Sequence, residues 1–152
     1  MVSLSAGKLN ENIMDKKDIA SREDIVLLLK SFYEKVIKDE TIGIIFTTIV
    51  PIDWNHHIPL IADFWETILL DHPVYSGNPM LKHLEINKVY PLKKIHFDTW
   101  LSLFDQTVDE SFSGKIANLA KQRAHGIAGL FAGNRASCKI FPGRVGRRFL
   151  SR

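Results

Sequence analysis

The sequence predicts an all-α domain. Apolar residues recur at helical spacing along most of the chain, and the one β-branched run that reads as a strand has no second strand to pair with. Glycine and proline punctuate the chain at a few places between the periodic stretches. At 152 residues the chain has the length of one domain that buries most of its surface around a single core. Hydrophobic residues at 45% and charged residues at 24% fit a soluble globular protein rather than a disordered or membrane one.

Ser21 with Asp24 three residues later has the form of a capping box. Ile25, Leu28, Leu29, Phe32, Val36 and Ile37 then share one face, so a helix is expected to end near Asp39. Thr41 to Pro51 is expected to form a short helix and turn. Asp53 stands where it can cap the next helix, whose inward face carries Trp54, His57, Ile61, Phe64 or Trp65, and Ile68. Pro59 removes a hydrogen bond in its second turn, so a local irregularity is expected there. Asn78 and Pro79 mark the start of a short helix through Met80, Leu81 and His83. Leu92, Phe97, Trp100, Leu101, Phe104 and Val108 define another helix. Ile116, Leu119, Ala120, Ala124, Ile127 and Phe131 define the last. The expected organisation is an N-terminal extension over 1–20, a helical domain over 21–132 and a basic, weakly packed tail over 133–152.

The net charge of +3 is a property of that tail. From Gly126 onward there are six basic residues and no acidic one, which leaves the rest of the chain at −3. A nucleic-acid surface on the folded domain is therefore not expected. No apolar run approaches the roughly 18 residues of a membrane span. The N-terminus has no secretory pattern, so a cytoplasmic location is expected. The single cysteine, Cys138, has no partner for an internal disulfide or a thiolate metal site.

Phosphate loops, serine-nucleophile motifs and paired cysteines are missing from the sequence. Six histidines are the residues that can carry chemistry. His56 and His57 point about 100° apart on a helix, and the spacing from Trp54 and Ile61 selects His57 as the inward one. His72 and His125 read as structural or exposed. His83 and His96 each lie near a short helix start among apolar neighbours. Many large rings fall on or beside inward faces, including Phe32, Tyr33, Phe46, Trp54, Trp65, Trp100 and Phe104. Rings and inward histidines in an all-α domain suit a cavity for a flat apolar cofactor, or an aromatic-rich core.

Particular strings go further than the pattern. Ser31-Phe32-Tyr33-Glu34-Lys35-Val36, Trp54-Asn-His-His57, Asp63-Phe64-Trp65-Glu66, Gly77-Asn78-Pro79-Met80-Leu-Lys-His83-Leu84, His96-Phe97-Asp-Thr-Trp100-Leu101-Ser-Leu-Phe104 and Thr107-Val108-Asp109-Glu110 occur in this order. Together they resemble the group III truncated haemoglobins over roughly residues 15 to 130. The resemblance implies a two-over-two helical sandwich around haem b. It places the proximal iron ligand at His83 rather than His96, and distal residues at Tyr33 with Phe32, His57, Ile61 and Trp100. Thr99 stands where many members have arginine.

The function so implied is reversible binding of O2, CO or NO at a five-coordinate haem iron. A donor such as Tyr33 or Trp100 favours O2 over CO. The alternative is a haem enzyme that reduces peroxide or detoxifies nitric oxide, and it requires a separate reductase, since the chain holds no flavin or nicotinamide domain. A non-haem metal protein using His57, His83 and His96 lacks supporting spacing.

Overall fold

The computed structural model describes residues 16–77 and 86–131. Every regular element among the described residues is helical, as the apolar spacing requires. Four long helices carry the fold: α1 Arg22–Lys38, α2 Trp54–Leu69, α3 Lys94–Ser111 and α4 Lys115–Phe131. A π-helical turn, Ile45–Ile49, lies between α1 and α2. Residues 86–89 are helical as well. None of these helices is long and apolar enough to cross a membrane. The helices pack as two pairs, α1 on α2 and α3 on α4, with α1 against α3 and α2 against α4 joining them.

Local chemistry sets the ends of α1. The Ser21 hydroxyl accepts from the Asp24 N–H at 3.3 Å, and the Asp24 carboxylate accepts from the Ala20 N–H at 2.9 Å. Two N–H groups without helical partners are thereby satisfied. Beyond the C-terminus the chain turns back closely. A Cβ on Gly43 would lie 2.8 Å from the Ile37 carbonyl oxygen, so only glycine passes there. Ile37, expected on the buried face, is 37% exposed, because α1 meets α2 and α3 through Phe32, Tyr33 and Val36 instead.

One other expectation changes. Asp53 precedes α2 without a side-chain cap, and its carbonyl receives the His56 and His57 N–H groups at 3.1 and 2.8 Å. The described residues just before Ser21 are packed onto the helices. Ile19 is fully buried, and the Asp18 carboxylate accepts from the Ile116 and Ala117 N–H groups at 2.9 and 2.8 Å, closing the start of α4. Gly114 makes this possible: its φ is +141°, and a Cβ there would collide with Asp18.

The core is a run of rings between the pairs. Trp65 of α2 stacks on Phe104 of α3 at 5.0 Å, and Phe104 stacks on Trp100 at 5.6 Å. Phe32 of α1 meets Phe104 and Trp100 edge-on at 5.3 and 5.6 Å. Alanines 117, 120 and 124 let α4 approach closely.

Candidate functional site

Tyr33 stands one residue beyond Phe32 on α1, which turns its ring away from the Phe104 stack and toward the start of α2. There it meets Trp54 at 5.0 Å and His57 at 5.5 Å, and Trp54 and His57 meet each other at 5.7 Å. The three rings form a closed triangle. Phe46, carried by the π-helical turn, covers Tyr33 from a further side at 5.9 Å. The turn is built from backbone: the Val50 N–H reaches the Ile45 carbonyl five residues back, at 2.8 Å. Such turns recur at functional sites.

One polar atom in this triangle is short of a partner. His57 Nε2 is buried and has no hydrogen-bond partner among the described residues. Burial, reinforced by the adjacent His56, holds the His57 pKa below its ordinary range, so the ring is neutral at physiological pH. Burial also pushes the Tyr33 phenol far above its ordinary range, so it remains an O–H donor.

The other described histidines behave differently. His125 Nε2 faces Asp105 at 2.7 Å, and His72 Nδ1 faces Glu66 at 3.2 Å. His96 Nδ1 accepts the Lys93 N–H at 2.8 Å and so closes the start of α3. His56 is exposed. Of the described histidines only His57 has a buried nitrogen with no partner among the described residues, which makes it a candidate to meet a ligand.

On α1, α2 and α3 several large apolar side chains are half-buried against the core, among them Ile61, Ile68, Trp100 and Leu101. Ile61 follows His57 by one helical turn, so both present the same side of α2. Trp100 lies on α3, and its ring contacts among the described residues are Phe32 and Phe104 rather than Tyr33 or His57. Of the residues expected at the site, Tyr33 touches Phe32 and His57, Trp100 is linked to them through Phe32, and Ile61 lies one turn along α2 from His57. His83 lies outside the described residues. Thr99 is occupied within its own helix, donating to the Ile95 carbonyl at 2.7 Å. Trp54 and Phe46, which the sequence marks only as inward rings, are part of the site. The signal that could have marked Trp54 is its place three residues before His57.

Comparison with known proteins agrees with this geometry. The family model described as bacterial-like globin matches residues 16–129. This chain belongs to that family, and within it to the group III truncated haemoglobins. It is 34% identical over 119 residues to a group 3 truncated hemoglobin of Campylobacter jejuni, covering 76% of this chain and 91% of the relative. A crystal structure of a group III truncated hemoglobin from Campylobacter jejuni superposes with a TM-score of 0.68 at 35% identity, covering 78% of this chain and 93% of that one. Globin membership implies a haem cofactor with gas ligands. The residues present fit that group: half-buried apolar side chains on α1, α2 and α3 suit a flat apolar ring system, and the buried His57 Nε2, without a partner among the described residues, can serve a ligand.

Proposed function

We propose that the chain binds O2 reversibly at the five-coordinate iron of haem b, with His83 as the proximal ligand and Tyr33 as the main hydrogen-bond donor to the ligand. The observation that carries this reading is the Tyr33–Trp54–His57 triangle with its buried, unpartnered nitrogen. When bound, the haem supplies an iron that takes a diatomic molecule at one open position. Everything else is the work of this chain's side chains.

The Tyr33 Oη–H donates toward the ligand. Its raised pKa keeps the proton on the phenol, so the donor is present at any physiological pH. Neutral His57 adds a second polar edge beside it. Phe32, Ile61 and Trp100 supply apolar walls that exclude water, which strengthens a hydrogen bond made there. A donor of this kind favours a ligand that draws negative charge to itself, so O2 gains more than CO.

The test is an absorption spectrum of the purified protein and of two variants. The wild-type protein should show a Soret band. His83→Ala should strip or loosen the haem, whereas His96→Ala should leave the band intact, because His96 is spent on the Lys93 N–H. The opposite pattern in the two variants refutes the ligand assignment.

A further inference from the structure

Resting on the reading of this pocket as a ligand site, we propose that Trp54 is its positioning residue: the indole holds the Tyr33 hydroxyl and the His57 imidazole in fixed relation. Two independent features lead there. The first is the closed triangle, in which Trp54 touches both polar rings, at 5.0 and 5.7 Å. Tyr33 and His57 come from different helices, so their spacing depends on whatever lies between them and the solvent. Trp54, half-buried beside the exposed Asp53, Asn55 and His56, occupies that place.

The second feature is a gap in the bonding at the start of α2. Asp53 gives no side-chain cap, and Pro59 sits in the second turn. Lacking an N–H, Pro59 cannot bond the carbonyl four residues earlier, at Asn55. The turn that carries His57 keeps the His57 N–H bond to the Asp53 carbonyl but lacks the bond that Pro59 cannot make, and the packing of Trp54 against Tyr33 adds restraint there. Trp54 also keeps solvent from the pair, which sustains the neutral state of His57. Among the described residues, the groups that touch or act on His57 are Tyr33 from α1 and Trp54 and His56 from its own helix, and none of them carries an opposite charge.

The experiment is a double-mutant cycle on the ferrous holoprotein, with O2 dissociation read by stopped flow and the CO stretching band read by infrared spectroscopy. Trp54→Ala should speed O2 dissociation by roughly two- to tenfold, the scale of one lost aromatic pair. It should also split or broaden the CO band as Tyr33 and His57 take more than one placement. In a Tyr33→Phe background the same change should add nothing to the rate, because Trp54 acts through the hydroxyl. Trp54→Phe, which keeps a ring in place, should restore most of the wild-type rate.

Equal acceleration in both backgrounds overturns the proposal, since Trp54 would then act elsewhere. An unchanged rate in Trp54→Ala, with Tyr33→Phe fast, overturns it while leaving the pocket reading intact. An unchanged rate in Tyr33→Phe removes the pocket reading and the proposal together. Should Trp54→Ala fail to fold, Trp54→Leu fills the space without a ring, and in the same cycle the same rates support or overturn the proposal.

Discussion

The start of α4 and the start of α2 each hold a polar side chain away from water, and they treat it in opposite ways. At α4 the Asp18 carboxylate accepts from the Ile19, Ile116 and Ala117 N–H groups, all within 2.9 Å. Burial pushes its pKa up, but those backbone hydrogen bonds outweigh burial and hold it below its ordinary value. At α2 the buried Nε2 of His57 has no partner among the described residues. One end is saturated and contributes stability; the other is left short and costs stability, which is what a site awaiting a ligand does. The Arg22 guanidinium repeats the saturated pattern, binding Asp63 at 2.6 Å, Glu66 at 2.8 Å and the Pro59 carbonyl at 3.2 Å.

The largest expected effect breaks the comparison on its functional side. A hydrogen bond to a partly charged ligand contributes about 1.5 to 3 kcal/mol, so Tyr33→Phe should speed O2 dissociation roughly ten- to a hundredfold. CO dissociation should change much less. If Tyr33→Phe matches wild type while His57→Leu or Trp100→Phe is fast, the donor is one of those residues instead.

Next in size is the loss of the saturated end. Asp18→Ala should lower unfolding free energy by about 1 to 2 kcal/mol, the scale of a helix N-cap, with haem absorption unchanged. Because folded Asp18 titrates below its ordinary value of 3.8, its contribution is in full force above that pH and drains as pH falls through the lowered folded value. Denaturant melts at pH 7 and pH 3 should therefore show a large difference between wild type and Asp18→Ala at pH 7 and a smaller one at pH 3. An equal difference at both pH values contradicts the assignment.

A smaller effect of opposite sign belongs to His57. Replacing it by Leu removes a buried nitrogen without a partner, so the haem-free protein should gain about 1 kcal/mol. The folded pKa of His57 lies below its ordinary 6.5, so wild-type stability is complete above that pH and falls as pH drops toward the lowered value. The His57→Leu protein should lack this part of the pH dependence, which thermal melts between pH 7 and pH 5 would detect. Equal slopes would mean that His57 is not held neutral.

Short-range features are legible in the sequence. Ser21 and Asp24 announce the start of α1, and the spacing from Ile25 to Val36 announces its buried face, because both depend on residues within a few turns of one another. Selection of His57 over His56 is of the same kind: neighbours on a helix point apart, and Trp54 and Ile61 fix which one turns inward. The Asp18 cap is invisible there, since its partners lie nearly a hundred residues away at Ile116 and Ala117. So is the exposure of Ile37, which depends on where α2 and α3 leave α1 uncovered. The π-helical turn is legible only as a helix and turn, because apolar periodicity over so few residues does not separate one helical hydrogen-bond register from another.

The sequence by itself determined the helices, the polar and apolar sides of each, and the family, all of which follow from residue types at fixed spacing along one strand of chain. Only the tertiary structure decided that Tyr33 of α1 meets Trp54 and His57 of α2, and that His57 is the described histidine left without a partner. Those facts depend on how two helices approach each other, and that approach is set by the packing of the whole core rather than by any local run of residues.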